Sequence, residues 1–149
     1  PLIRNTVREL AENLLHEVDY VNERSNVDFF GSLPAVEGVV LPRSYPQFTT
    51  KRVLTLSRVE GLPLNQVEDP AALNIAFQRV FRYFFTTLKR ARAIHSDPHP
   101  GNVLVSPHQT AIVDFGSVKR ELNPLVVELF LLLLKSDADP ARIVECYAT

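Results

Sequence analysis

HSDPHPGN at residues 95–102 and DFG at residues 114–116 are the two stretches that say most about the fold of this sequence. The first places an acid, two histidines and an amide in a loop that two prolines stiffen and a glycine can bend. The second comes directly after the apolar run 111–113, as expected where a buried strand ends. Taken alone, the first stretch could also be a capped turn, so the interpretation depends on how the two are spaced.

The spacing of three polar residues is typical of phosphoryl transfer. Asn102 follows Asp97 by five positions, and Asp114 follows it by seventeen. Kinases place a base Asp, a metal-binding Asn and a strand-end Asp in this order, with Gly116 completing the last motif. Mg²⁺ is a hard cation that prefers oxygen ligands. The sequence therefore predicts Asp97 as the base, Asn102 and Asp114 as ligands of Mg²⁺, and ATP as the nucleotide.

Composition narrows the class of protein further. The chain has 149 residues, of which 46% are hydrophobic and 22% charged, with a net charge of −1. This composition is typical of a globular domain with a real core. The charge balance gives no basic surface for nucleic acid. A single cysteine, Cys146, excludes an internal disulfide.

Hydrophobic periodicity and helix-capping residues predict an α+β arrangement. The predicted helices run from about Ile3 to Phe30, from Asp69-Pro70, from Asn123-Pro124 and from Asp139-Pro140. The predicted strands are Val39–Leu41, Arg52–Leu56, Val103–Val105 and Ala111–Val113, with a turn-rich connector at Val59–Leu64. A stripe on the second helix is predicted to be core packing: Phe77, Val80, Phe81, Phe84, Phe85 and Leu88.

HSDPHPGN at 95–102 resembles the motif of the UbiB family of atypical kinases, the aarF-domain proteins. The segment 17–20, Glu-Val-Asp-Tyr, followed by Glu23 and Asn26, is similar to the ExD segment of that family. The stretch 52–61 is similar to its hinge between lobes. The resemblance covers nearly the whole chain and implies a protein kinase-like fold, with part of the small lobe and a mainly helical large lobe carrying both loops.

The resemblance also implies roles for residues that the spacing does not identify. Glu23 would pair with the ATP-binding lysine of the small lobe. Glu17 would hold an inhibitory lysine segment that precedes the domain. His95 would brace the catalytic loop, and His99 is expected to make only a hydrogen bond within it.

Several elements of a kinase are missing from the sequence: we find no glycine-rich phosphate loop, strand lysine or KxGQ segment. The sequence also contains no Met, and its first residue is Pro. We therefore expect a fragment of one kinase-like domain, with residues 1–60 from the small lobe and 61–149 from the large lobe. Such a fragment should bind ATP weakly and transfer no phosphate by itself.

Two departures from conventional protein kinases bear on the substrate. Ser96 stands where those enzymes have the arginine that pairs with an activation-loop phosphate, and only residues 117–122 separate DFG from the next helix cap. A docking platform for a protein substrate is therefore not expected. The acceptor would be a small molecule, a lipid-like compound or water, the last making the domain an ATPase.

The family resemblance implies support of ubiquinone or other prenyl-quinone metabolism, with partners at a mitochondrial, plastid or bacterial membrane. Two alternatives stay open at this point. One is an aminoglycoside- or choline-type phosphotransferase, which shares the HxDxxxxN pattern. The other is a pseudokinase that binds nucleotide without turnover.

Overall fold

The computed structural model describes residues 19–133. Its α-helices are α1 (Tyr20–Ser32), α2 (Pro70–Ala91) and α3 (Pro124–Leu133). Its strands are β1 (Val39–Val40), β2 (Leu62–Pro63), β3 (Ile94–His95), β4 (Val103–Val105), β5 (Thr110–Ile112) and β6 (Val118–Lys119). The mixture of helices and short strands confirms the predicted α+β class.

Two small sheets carry the loops of interest. The first has the strand order β1-β5-β4-β2, in which β4 and β5 form an antiparallel hairpin and β1 lies parallel to β5. The second sheet pairs β3 with β6, with His95 opposite Val118. The loop 96–102 leaves β3 and enters β4, while DFG leaves β5 and enters β6. Both loops are therefore tethered to paired strands at each of their ends.

Helix α1 begins later than predicted. Asp19 has an extended backbone, and its side chain accepts the N–H of Val21, which makes it the N-cap of a helix starting at Tyr20. The prediction of one continuous helix from Ile3 to Phe30 is therefore wrong at Asp19, because the short side chain competes for the backbone N–H groups there. The part of that prediction before residue 19 lies outside the described residues, as does the predicted helix at Asp139-Pro140.

Helix α2 begins as predicted. Asp69 accepts the N–H groups of Ala71 at 3.0 Å and Ala72 at 3.3 Å, and Pro70 occupies the first helical position. The helix ends where Arg92 adopts a left-handed backbone. Asn123 caps α3 in the same way as Asp69 caps α2, by accepting the N–H of Leu125 at 2.9 Å.

The aromatic stripe of α2 is only partly core. Leu88 is buried, but Phe77 is 48% exposed and Phe81 59% exposed. The prediction that all six members pack inside is therefore wrong for these two. Sequence periodicity shows which residues share a helix face but not how far the neighbouring elements extend over that face.

The run Arg52–Leu56 is not a strand, contrary to the prediction. Thr50 and Val53 exchange main-chain hydrogen bonds across a tight turn, which takes up the start of the run. The remainder of the run makes scattered contacts, among them a single bridge between Ser44 and Leu56 and hydrogen bonds of Thr55 with Tyr45, Phe48 and Thr49. Strand propensity alone is insufficient here because a strand needs a continuous partner.

A short strand, β2, lies inside the segment predicted to be a connector. Gly61 precedes it, and a side chain there would come within 2.9 Å of the backbone of Val105. The absence of a side chain therefore allows this segment to approach β4 closely. Leu62 then pairs with Val105.

The main hydrophobic core joins α1 to the site loops. Its buried members are Val27, Phe30, Val36, Tyr83, Ala93, Ile112 and Phe115. Phe115, the central residue of DFG, is fully buried. The core thus holds α1 directly against the second loop.

Candidate active site

His95 ties the first loop to the end of β5. Its side chain is 7% exposed, its Nε2 lies 3.2 Å from the carbonyl oxygen of Val113, and its Nδ1 lies 3.3 Å from the main-chain nitrogen of Asp97. A carbonyl only accepts and an amide N–H only donates, so both contacts form when the proton is on Nε2. The ring also packs against Phe115, with centroids 5.1 Å apart. This geometry is that of a residue that braces the loop.

Internal hydrogen bonds shape the rest of this loop. The N–H of Gly101 donates to Nδ1 of His99 at 3.0 Å, and the N–H of Asn102 donates to the carbonyl of His99 at 2.8 Å. The first of these is the loop contact predicted for His99. The side-chain nitrogen of Asn102 donates to the main-chain oxygen of Asp97 at 3.4 Å. Because the nitrogen is used in this way, the amide oxygen is the atom that Asn102 can offer to a cation.

The hairpin brings the second loop beside the first. The main-chain N–H of Val113 donates to the carbonyl of Asn102 at 2.9 Å, so Asp114 lies one residue beyond the pair. The N–H of Ser96 donates to the carbonyl of Ser117 at 2.9 Å, which joins the loops at their other ends. Asn102 and Asp114 therefore lie at the same end of the hairpin, and Asp97 is linked to Asn102.

Asp114 and Gly116 form a tight turn. The Asp114 backbone is left-handed, with φ of 62°, and its Oδ1 accepts the N–H of Gly116 at 3.2 Å. A Cβ atom at residue 116 would lie 3.3 Å from Oδ1 of Asp114 and 3.7 Å from Oε2 of Glu23. Gly116 therefore keeps space beside two carboxylates.

One face of α1 contacts Phe115. The Glu23 carboxylate accepts the Phe115 N–H, and the Asn26 side-chain nitrogen donates to the Phe115 carbonyl at 2.8 Å. The rings of Phe30 and Phe115 pack with centroids 5.2 Å apart. Residues 23, 26 and 30 recur at helical spacing and so share a face. Sequence reasoning gave no role to Asn26, because its partner is distant in the chain.

Glu23 is in an unfavourable electrostatic position. Burial, followed by repulsion from the Asp114 carboxylate, raises the pKa of Glu23 above 4.5, and the hydrogen bond from Phe115 opposes this only in part. A nearby cation would offset the repulsion. The family resemblance implies that Glu23 pairs with a cation of this kind, a lysine of the small lobe.

The charge of Glu23 should therefore destabilise this chain at neutral pH. Because its folded-state pKa is raised, the favourable contribution of protonation is complete below pH 4.5 and is lost as the pH rises through the folded-state value. We expect Glu23→Gln to raise the thermal unfolding midpoint at pH 7 by a few degrees at most, since the carboxylate is partly solvated. The difference should vanish below pH 4.5.

The measurement is a series of melts from about pH 4 to 7.5, without Mg²⁺ or nucleotide, which compares the protein near the ordinary glutamate pKa with the protein at neutral pH. Glu37→Gln is the matched control. Glu37 is exposed, and its ion pair with Arg82, at 4.0 Å, lies on the surface where solvent weakens it. A midpoint for Glu23→Gln below that of the wild type at neutral pH would contradict the expectation.

The structure thus brings together Asp97, Asn102, Asp114 and Gly116, with Glu23 beside Asp114. Glu17 lies outside the described residues. Among residues 19–133 there is no cluster of three or more His, Cys, Asp or Glu side chains that could hold a metal ion. A carboxylate and an amide oxygen nevertheless fit Mg²⁺, which commonly takes one or two protein ligands and completes its shell with phosphates and water.

Within the described part of the chain, no helix is both long and apolar enough to cross a bilayer.

Comparison with known proteins points to one family. Residues 2–145 match the model of the ABC1 atypical kinase-like domain. An uncharacterized aarF domain-containing protein kinase of Arabidopsis thaliana, described as chloroplastic, is 33% identical over 88% of this chain. A Haemophilus ducreyi protein named "Probable protein kinase UbiB" is 30% identical over 68% of it. The chain spans only about a fifth of each relative, 19% and 20% of their lengths.

Two solved structures share the fold. Rv3197 of Mycobacterium tuberculosis, solved with erythromycin, superposes with a TM-score of 0.72 at 21% identity, covering 97% of this chain and 38% of its own. The Rio2 kinase of Chaetomium thermophilum, solved as an ADP/Mg²⁺-phosphoaspartate complex, gives 0.56 at 17% identity, covering 89% and 37%. These similarities confirm the predicted kinase-like fold.

Proposed function

The chain belongs to the ABC1 atypical kinase-like family, and on this basis we propose that it carries the base and metal residues of a Mg·ATP-dependent phosphotransferase or ATPase. The observation that supports this most directly is the hairpin contact between Val113 and Asn102, which sets Asp114 beside the loop of Asp97. Asn102 and Asp114 share one end of the hairpin, and the main chain of Asp97 is hydrogen-bonded to Asn102, so the three residues follow the order required for phosphoryl transfer.

The proposed roles follow from the contacts of each residue. Asp97 orients the attacking hydroxyl or water and accepts its proton. Asn102 and Asp114 hold Mg²⁺, which when bound neutralises negative charge on the phosphates. Gly116 leaves the space that the ion and the nucleotide need. His95 braces the loop without touching the reacting atoms.

Two further roles rest on the family resemblance. Glu23 would pair with the ATP-binding lysine, and its position beside Asp114 supports this because a lysine there would relieve the repulsion between the carboxylates. Glu17 would hold the inhibitory lysine segment. In this proposal residues 1–60 are the end of the small lobe, residues 61–149 are part of the large lobe, and the remaining nucleotide contacts come from sequence outside this chain.

We propose that the acceptor is a small molecule, a lipid-like compound or water. Ser96 supplies no charge for an activation-loop phosphate, and helix α3 begins shortly after β6, leaving no room for a long activation segment. The family suggests a role in ubiquinone or prenyl-quinone metabolism, with partners at an organellar or bacterial membrane.

The test is product analysis with the complete protein, Mg²⁺ and ATP labelled at the γ-phosphate. Free phosphate without a labelled acceptor would indicate an ATPase, and stoichiometric labelling of a small molecule would indicate a kinase. Nucleotide binding without turnover would favour the pseudokinase alternative. Failure of the complete protein to bind Mg·ATP at all would overturn the proposed function.

A further inference from the structure

The position of DFG depends on contacts that α1 makes with the main chain of Phe115. Glu23 accepts its N–H, and Asn26 donates to its carbonyl at 2.8 Å. Both main-chain polar groups of Phe115 are thereby satisfied by side chains one helical turn apart. Asp114 immediately precedes Phe115, so any movement of Phe115 moves the carboxylate proposed to hold Mg²⁺.

The Asn26 contact works in only one orientation of the amide. If the group were reversed, its oxygen would face the carbonyl of Phe115, and two acceptors would repel each other. Nη1 of Arg120 lies 3.3 Å from Oδ1 of Asn26. A guanidinium group has only donors, so it selects the oxygen end of the amide and leaves the nitrogen for Phe115.

Arg120 is itself held by α1. Its guanidinium lies 4.2 Å from the centroid of the Phe29 ring, within the range of a cation–π interaction. The planar group thus contacts Asn26 and Phe29, which are neighbours on the helix surface. Arg120 follows β6 immediately, so these contacts connect the segment after DFG to α1.

We propose that Arg120 is a positioning residue for Asp114, acting through the amide of Asn26 to hold DFG against α1. The inference rests on the proposed function, in which Asp114 binds Mg²⁺. Conventional protein kinases use an arginine at the position of Ser96, together with a phosphate, to order this region. In this chain an arginine from the other side of DFG makes a direct contact with α1, and no phosphate is required.

The experiment compares Arg120→Ala and Arg120→Lys in the complete protein, with Arg24→Ala as the matched control. Arg24 lies on α1 and pairs with Asp28 at 3.6 Å, in a surface contact between helix neighbours. We expect Arg120→Ala to raise the Mg²⁺ concentration for half-maximal turnover by roughly 3- to 10-fold, the effect of one lost hydrogen bond. Maximal turnover at saturating Mg²⁺ should change by less than about 2-fold. That change is smaller than the change in rate that the loss of one hydrogen bond would cause.

Comparison with other variants separates positioning from general destabilisation. Arg120→Lys should recover part of the effect, because lysine can donate to Asn26 but cannot form the planar contact with Phe29. Combining Arg120→Ala with Asn26→Ala should cause no more change than Asn26→Ala alone, since both remove the same connection. Fully additive effects, or an unchanged Mg²⁺ midpoint in Arg120→Ala, would overturn the inference.

Hydrogen exchange distinguishes failure of this inference from failure of the proposed function. The amides of Phe115 and Gly116 should exchange faster in Arg120→Ala than in the wild type or Arg24→Ala, whether or not the protein turns over ATP. Unchanged exchange at these amides would overturn the positioning role on structural grounds alone. Faster exchange in a protein without Mg·ATP activity would retain the positioning role and reject only the proposed function.

Discussion

Asp114→Asn should abolish most Mg²⁺-dependent nucleotide binding in the complete protein. The substitution keeps the size of the side chain but removes the charge that would hold the ion, and an amide oxygen is a weaker ligand for a hard cation. The same change removes the repulsion from Asp114, which after burial is the second cause of the raised pKa of Glu23. We therefore expect the unliganded variant to unfold at the same temperature as the wild type or higher, while its calorimetric titration with Mg·ATP shows little binding.

Asp69→Asn is the matched control for this prediction. Asp69 caps α2 by accepting the N–H groups of Ala71 and Ala72, and asparagine caps a helix nearly as well as aspartate. Its Mg·ATP affinity should match the wild type. Mg·ATP binding by Asp114→Asn at wild-type affinity would exclude this residue as the principal metal ligand.

Asp97→Asn should have the opposite effects on turnover and on nucleotide binding. Turnover should fall by about 10²–10⁴-fold because the base is lost, while Mg·ATP affinity stays near normal. The structure gives a reason for the intact affinity: Asn102 donates to the main-chain oxygen of Asp97 and not to its carboxylate. The Asn102 amide, which is proposed to bind the metal, should therefore keep its orientation in the variant.

Single-turnover measurements alongside binding titrations would check this profile. The pseudokinase alternative predicts no turnover in the wild type and no effect of Asp97→Asn on binding. Turnover at the wild-type rate in Asp97→Asn would remove the central residue of the proposed mechanism, and with it the assignment of this loop as catalytic.

Features set by local chemistry were predictable from the sequence. The caps at Asp69-Pro70 and Asn123-Pro124 depend on hydrogen bonds across two or three residues. The local sequence therefore identified both helix starts. The loops at 95–102 and 114–116 were recognisable because their residue types match the demands of Mg²⁺ and of a base. The structure then placed these loops side by side at the hairpin.

Features that depend on distant partners were not predictable. Arg52–Leu56 has the composition of a strand but lacks a continuous neighbour to pair with. Asn26 contacts Phe115 and Arg120, which are 89 and 94 positions away along the chain. A single sequence contains no signal for such a pairing. The exposed Phe81 likewise shows that a periodic pattern defines a helix face without defining what covers it.

The left-handed backbone at Asp114 limits which residues could replace it. Most side chains cost about 1–2 kcal/mol in this conformation, whereas glycine, asparagine and aspartate adopt it readily. Aspartate is the only one of these three that carries a charge, so the shape of the turn and the proposed role as a metal ligand favour the same residue. A change from carboxylate to amide leaves that shape available. One substitution at this position could therefore abolish the proposed metal binding and leave the fold of the turn intact.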